Sequence, residues 1–219
     1  MAQFAQLKAR HRLERDGYPQ SVSLRIHRSL SWLNNVEQHL EHDKDAAFIF
    51  YWIAFNAAYS CDINPEQRPT EQKAFNDFIK ALISLDTQSR LESLVWTKFA
   101  GPIRIFLDNR YVFQPFWDFQ NGKLVEAEWQ DKFESALYKA HHALANQQTD
   151  TVLGIVLSRL YTLRNQLIHG GATWKSRANR DAIRDATAIM ADLVTIIISI
   201  MMDNSEHDWG AVMYPVVGS

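Results

Sequence analysis

The chain has little of what ends or cross-links a fold: one cysteine, eight glycines and six prolines in 219 residues. A single thiol, Cys61, excludes an internal disulfide and any cysteine-rich zinc site. It fits a reducing compartment, so a cytoplasmic protein is expected. The shortage of glycine and proline argues against a turn-dense β-sandwich or barrel and for long helices joined by few loops. Export is not expected, because Met1 to Gly17 is too charged and too poor in aliphatic residues to form the apolar core of a secretory signal. The most apolar stretch, Ala186 to Met202, is seventeen residues long and carries Asp192. A bilayer needs roughly 20 residues, so a buried core helix is predicted there, and no membrane partner.

Several chemistries lack their motifs. There is no Walker A loop and no Gly-x-Gly-x-x-Gly to cradle a nucleotide phosphate. His169-Gly170-Gly171 has the look of an oxyanion loop, but no Gly-x-Ser-x-Gly elbow exists to go with it. His39 and His42 lie beside Glu37 and Glu41, yet the Glu-x-x-His pair used by di-iron bundles is missing. No metal and no cofactor is therefore predicted, and His141-His142 reads as a helix surface.

What the chain does have is the make-up of an ordinary globular protein, 47% apolar and 22% charged. Its net charge is −2 and its pI about 6.4, so any contact with nucleic acid has to be local. Residues 1 to 28 hold Lys8, Arg10, Arg12, Arg15, Arg25 and Arg28 against Glu14 and Asp16, a net +4. The predicted organisation is a single helical domain over 1–219: a basic arm at 1–20, a bundle at about 21–203 and a tail at 204–219.

The arm closes on the turn Asp16-Gly17-Tyr18-Pro19. Leu24, Leu30, Leu33, Val36 and Leu40 then predict a first long helix from Ser21. Phe48, Tyr51, Trp52, Phe55, Ala58 and Tyr59 follow the i, i+3, i+4, i+7 rule in a run so apolar that a central helix is expected. On it Asn56 either contacts a cleft or caps a core hydrogen-bond pair. Cys61 to Pro69 breaks the pattern. A third helix is predicted from Thr70, and a fourth from Arg90 to Phe99, stopped or kinked by Gly101-Pro102. Tyr111, Phe113, Phe116, Trp117 and Phe119 crowd Pro115 and are expected to pack as a lid-like loop ending at Asn121-Gly122. Glu126 to Asn146, Asp150 to His169 and Asn179 to Met202 read as the remaining helices.

The helix from Asp150 to His169 holds one contradiction. At about 100° per residue, Val152, Leu153, Val156, Leu157, Leu160, Leu163, Leu167 and Ile168 share a broad apolar arc, and Arg164 falls within it. Burying a charge is costly unless it is paired or faces a wet cavity or interface. Two readings stand together: an arginine that snorkels or pairs with a core acid, or one that serves a functional site. Asn165 adjoins it, and His169 ends the helix before Gly170-Gly171, four residues after Asn165 on the same face. Lys175, Arg177, Arg180 and Arg184 follow at once. They could guide RNA phosphates, or be solvated charges paired with Asp181 and Asp185.

The stretch Leu163-Arg-Asn-Gln-Leu-Ile-His-Gly170 on a late helix, with the aromatic helix Phe48-Ile-Phe-Tyr-Trp-Ile-Ala-Phe-Asn-Ala-Ala-Tyr59 before it, resembles the HEPN domains, the higher eukaryote and prokaryote nucleotide-binding domains. The resemblance covers roughly 22–60 and 127–203. It implies an all-α bundle of HEPN type, to which the N-terminal basic arm and the aromatic-rich segment are additions. Many members are metal-independent endoribonucleases, here of a toxin or phage-defence type; others only bind nucleotide, RNA or a protein partner. Carried over, the motif makes Arg164 and His169 catalytic and Asn165 supporting. A histidine suits proton transfer from a ribose 2′-OH, and an arginine suits the charge developing on the attacked phosphate. One chain supplies one copy of the motif, so the resemblance implies a homodimer with a composite cleft. It also allows a separate antitoxin or nucleotidyltransferase chain as partner.

Overall fold

In the computed structural model, which describes residues 2–39, 42–60, 71–177 and 179–215, the chain is all-α, with no strand among the described residues. The helices are α1 (Ala2–Glu14), α2 (Gln20–His39), α3 (Lys44–Tyr59), α4 (Glu71–Leu85), α5 (Arg90–Ser93), α6 (Ala100–Asp108), α7 (Gln114–Gln120), α8 (Glu126–Ala145), α9 (Thr149–Ile168) and α10 (Arg180–Asp203). They form two compact units, one of Met1–Thr70 with Thr187–Ser219 and one of Glu71–Ala186.

In the first unit, Val22, Ile26, Leu30, Leu33 and Val36 recur every three or four residues and make one buried stripe along α2. It packs on α3, whose Phe48, Trp52 and Phe55 are buried as its spacing predicts. The Asp43 carboxylate starts α3 by accepting the Ala46 N–H at 3.1 Å. The predicted break from Cys61 to Pro69 lies outside the described residues. Residues read as a basic arm form α1, a helix laid along α2, and a 3-10 turn at Arg15–Gly17.

The charge at the front of the sequence is only partly presented to solvent. Arg25 is 0% exposed. Its Nη1 donates to the carbonyls of Ala58 (3.1 Å) and Ser60 (2.6 Å), and its Nη2 to those of Gly210 (3.1 Å) and Ala211 (2.8 Å). Arg28 holds the carbonyls of Met213 and Tyr214 in the same way. Two of the six basic residues therefore fasten the C-terminal tail. At the end of α10, Asp203 pairs with Arg10 at 2.7 Å.

The apolar stretch near the C-terminus lies within a helix longer than the stretch itself. At 24 residues α10 is long and apolar enough to cross a bilayer on length and composition, and 67% of its most apolar window is buried within the protein. Met190, Leu193, Val194, Ile197, Ile198 and Met201 supply that burial.

In the second unit α9 is the helix that α4, α6 and α8 all touch. The predicted fourth helix is shorter than expected: α5 ends at Ser93 and a π turn, Leu94–Lys98, follows, closed by the Phe99 N–H on the Leu94 carbonyl at 3.0 Å. Gly101-Pro102 neither stops nor kinks that helix. The pair lies in the first turn of α6, where a proline lacks no bond that the helix would have made. The aromatic segment is also more regular than the predicted loop. A 3-10 turn (Arg110–Val112) leads into α7, which lays Phe116 and Phe119 on Trp129 of α8, at 5.2 and 5.9 Å between ring centroids. The Asn121-Gly122 turn is present, with Gly122 at φ 71°.

Candidate functional site

The carboxyl end of α9 is fixed by its glycines. Gly170 takes φ 71°, a left-handed conformation that costs a side-chain-bearing residue energy. Its N–H then reaches the Leu167 carbonyl at 3.3 Å, and the Gly171 N–H reaches that of Gln166 at 2.7 Å. This double closure is a Schellman motif, and it places His169 as the last residue before the reversal. The His169 side chain is exposed, and its backbone N–H donates to the Asn165 carbonyl at 3.0 Å.

Arg164 is half-buried, so it is less deeply placed than the apolar arc suggests. Its Nη1 donates to Asn165 Oδ1 at 2.9 Å, its guanidinium lies 6.0 Å from the Tyr161 ring centroid, and its Nε is buried without a hydrogen-bond partner. No carboxylate pairs with Arg164 among the described residues. Arg164 and Asn165 are thus brought together, while no bond joins either side chain to the His169 imidazole. On a regular helix Arg164 and His169 stand roughly 7.5 Å apart along the axis and about 140° apart around it.

Sequence reasoning did not find Gln166 or the aromatic turn beside it. Gln166 Nε2 and Trp117 Nε1 both donate to the Tyr111 carbonyl, at 2.6 and 2.8 Å. Arg110 covers the Tyr111 ring at 5.0 Å. The segment read as a lid therefore braces the motif-bearing half of α9.

The cations after the motif are scattered rather than focused. Lys175, at φ 54°, sits 4.5 Å over the exposed Trp174 ring. Arg177 is exposed and Arg180 half-buried. Arg184 is held at 2.7 Å by Asp181 and at 2.9 Å by Asp185, which is the surface pairing given above as its alternative.

The arginine buried on α9 is Arg159, at 3% exposure. Its guanidinium stacks 4.2 Å from the Phe113 centroid and 5.8 Å from that of Phe133. Its nearest polar partner is the Leu107 carbonyl at 3.5 Å, and burial pushes its pKa down to about 10, against the pull of Asp108. The signal was present in the sequence: Arg159 continues the stripe Val152, Val156, Leu163.

A second cationic feature lies in the other unit. A groove of about 510 Å³ between α1 and α2 is lined by Lys8, Arg12 and His27. Lys8 Nζ is 3.3 Å from His27 Nδ1, and burial together with neighbouring cations holds both pKa values below their ordinary ranges. Beside them His11 is 1% exposed, with Nε2 3.3 Å from Ser23 Oγ and Nδ1 unpartnered.

Among the described residues no three His, Cys, Asp or Glu side chains converge as a metal site would require. His42 is exposed, and nothing is described of the side chain of His39. His141 and His142 lie on the surface of α8, His141 within 3.0 Å of Asp108. Asn56 is half-buried, and its side chain makes no hydrogen bond among the described residues.

Compared with family models, curated proteins and solved structures, the chain matches none. Its class rests on its own geometry: an all-α protein that places Arg164, Asn165 and the exposed His169 together at the end of one helix.

Proposed function

We propose that the chain is a HEPN-type endoribonuclease that cuts RNA without a metal, in a cleft completed by a second copy of itself. The observation that carries this reading is Arg164, half-buried with an unpartnered Nε and no carboxylate on it among the described residues. Such a guanidinium is suited to an anion it does not yet hold. Asn165 steadies it at 2.9 Å. His169, exposed at the glycine turn, is the proton carrier. The ribose 2′-OH gives its proton to an imidazole and attacks the adjacent phosphorus. The bond to the 5′-oxygen breaks, that oxygen takes up a proton, and a 2′,3′-cyclic phosphate and a 5′-hydroxyl result. Arg164 balances the charge on the phosphate oxygens as the bonds exchange.

Because Arg164 and His169 diverge on one helix, a two-fold pairing of α9 ends is what assembles them. Ile168 (46% exposed) and Trp174 (69%) offer apolar surface beside the motif for that pairing. Lys175, Arg177 and Arg180 would flank the incoming strand, and Arg184 would join them only by leaving Asp181 and Asp185. The setting is a cytoplasmic toxin or phage-defence protein, with an antitoxin or nucleotidyltransferase chain as its regulating partner. A second reading, a dimer that binds nucleotide, RNA or protein without cutting, is favoured by the missing contact between Arg164 and His169. Growth on induced expression separates the two, alongside sedimentation of the purified chain. The nuclease reading predicts a dimer whose toxicity is lost in His169→Ala. Equal toxicity of parent and variant, or a monomer, argues against it.

A further inference from the structure

We propose that the pocket between α4, α8 and α9 is a binding site for a small phosphorylated ligand, with Arg159 at its base. The space is about 430 Å³, within the range of small-molecule sites. Arg159, Lys80 and Lys139 line it together with the amide of Asn76 and the hydroxyls of Thr151 and Ser158. Gly154 makes room for that amide, since a Cβ there would fall 2.5 Å from Asn76 Oδ1.

The decisive feature is a buried guanidinium that no carboxylate bonds among the described residues. Arg159 is 3% exposed, its Nε has no hydrogen-bond partner, and its one carbonyl contact, at 3.5 Å, is at the limit of a hydrogen bond. It pairs with no carboxylate among the described residues. Asp108, the acid that acts on it electrostatically, is 3.0 Å from His141. Burial lowers the arginine's pKa only to about 10, so the group keeps its charge at neutral pH. The Phe113 and Phe133 rings hold it in place by cation–π contact but supply no net negative charge. A buried charge is tolerated when it is paired, and among the described residues no carboxylate is bonded to this one.

The lining indicates the chemistry. Three cations face one carboxylate, Asp150, which is occupied with the N–H (2.7 Å) and hydroxyl (3.3 Å) of Thr151. Lys80 and Lys139 are exposed and in no ion pair among the described residues. A forked guanidinium, two exposed ammonium groups and neutral donors match a multiply charged phosphate better than a single carboxylate. Its α9 lining runs from Asp150 to Arg159 and shares no residue with the Arg164–His169 motif, so it does not depend on the nuclease reading.

Inorganic pyrophosphate is the probe, titrated calorimetrically into the full chain at constant ionic strength, with sodium chloride as control. One saturable site per chain is expected, with affinity falling at least about tenfold in Arg159→Met, as loss of charge-assisted bonds requires. Affinity should also fall in Lys80→Ala/Lys139→Ala. The lysine pair decides the matter if Arg159→Met does not fold. Absence of pyrophosphate binding, or binding that both sets of pocket variants leave intact, overturns the proposal.

Discussion

Replacing Arg25 by methionine tests how the first unit is closed. The side chain is fully buried and spans two segments remote in sequence: Nη1 bonds the end of α3 at Ala58 and Ser60, and Nη2 bonds Gly210 and Ala211 in the tail. Each charge-assisted bond contributes about 1.5 to 3 kcal/mol. The four are not additive, because the guanidinium regains its hydration on unfolding and the tail carbonyls can recover water once the tail lifts away. The Ala58 carbonyl, on a buried residue, has less recourse to water, and an orphaned buried acceptor alone costs about 1 to 3 kcal/mol. A net loss of roughly 3 kcal/mol is expected, a large share of the ~5 to 15 kcal/mol that holds a typical domain. Urea unfolding followed by far-ultraviolet circular dichroism gives the stability, and hydrogen exchange gives the local effect. Residues 204–215 should lose protection in Arg25→Met before the rest of the unit does. Arg25→Lys should fall between, since one ammonium cannot cover four acceptors in two directions. A variant within about 0.5 kcal/mol of the parent, a change typical of neutral surface sites, with its tail still protected, would mean that Arg25 does not hold the tail to α3.

Two further outcomes follow from local geometry. Gly170→Ala forces a side chain into φ 71°, at a cost of about 1 to 2 kcal/mol. Urea unfolding should show that loss and hydrogen exchange should show the Gly170 and Gly171 amides opening, whereas unchanged protection would mean the turn is not set by glycine. His11 is kept below its ordinary pKa by burial and by Lys8, His27 and Arg15, with Tyr18 and Ser23 its other polar neighbours. The folded state thus favours the neutral ring: stability present above about pH 6.5 is lost as pH falls through the unfolded value toward the lower folded one. His11→Gln should flatten the stability profile between about pH 7 and 5, and an equal slope in parent and variant would contradict this account.

The long helices were legible because each buries a stripe with a single period. The residues of α2 from Val22 to Val36, and the aromatic run of α3, announce themselves in this way. The region from Arg90 to Gln120 was not, because its helices are too short for a period to establish itself and a π turn shifts the register between them. Arg25 passed as one of the basic residues concentrated in 1–28 because its partners are backbone carbonyls, which have no signature in side-chain sequence and here lie as far away as Ala211. Arg164 drew attention through its neighbours Asn165 and His169. Arg159, five residues earlier on an equally apolar stripe, had no such neighbours, and it is the more deeply buried of the two. Whether a charge on an apolar stripe is sunk or only half-covered depends on which helices pack over it, and here Phe113 and Phe133 come from other elements.

RNA cleavage at the end of α9, as proposed above, would leave a chemical signature on the new ends. The most direct measurement is incubation of the purified chain with mixed single-stranded and transfer RNA in EDTA, beside His169→Ala and Arg164→Ala, with the chemistry of the new ends determined. Cleavage by the parent alone, leaving 2′,3′-cyclic phosphate and 5′-hydroxyl ends, is predicted. Folded, dimeric variants that cut as fast as the parent, or a parent that leaves the RNA intact, would contradict it.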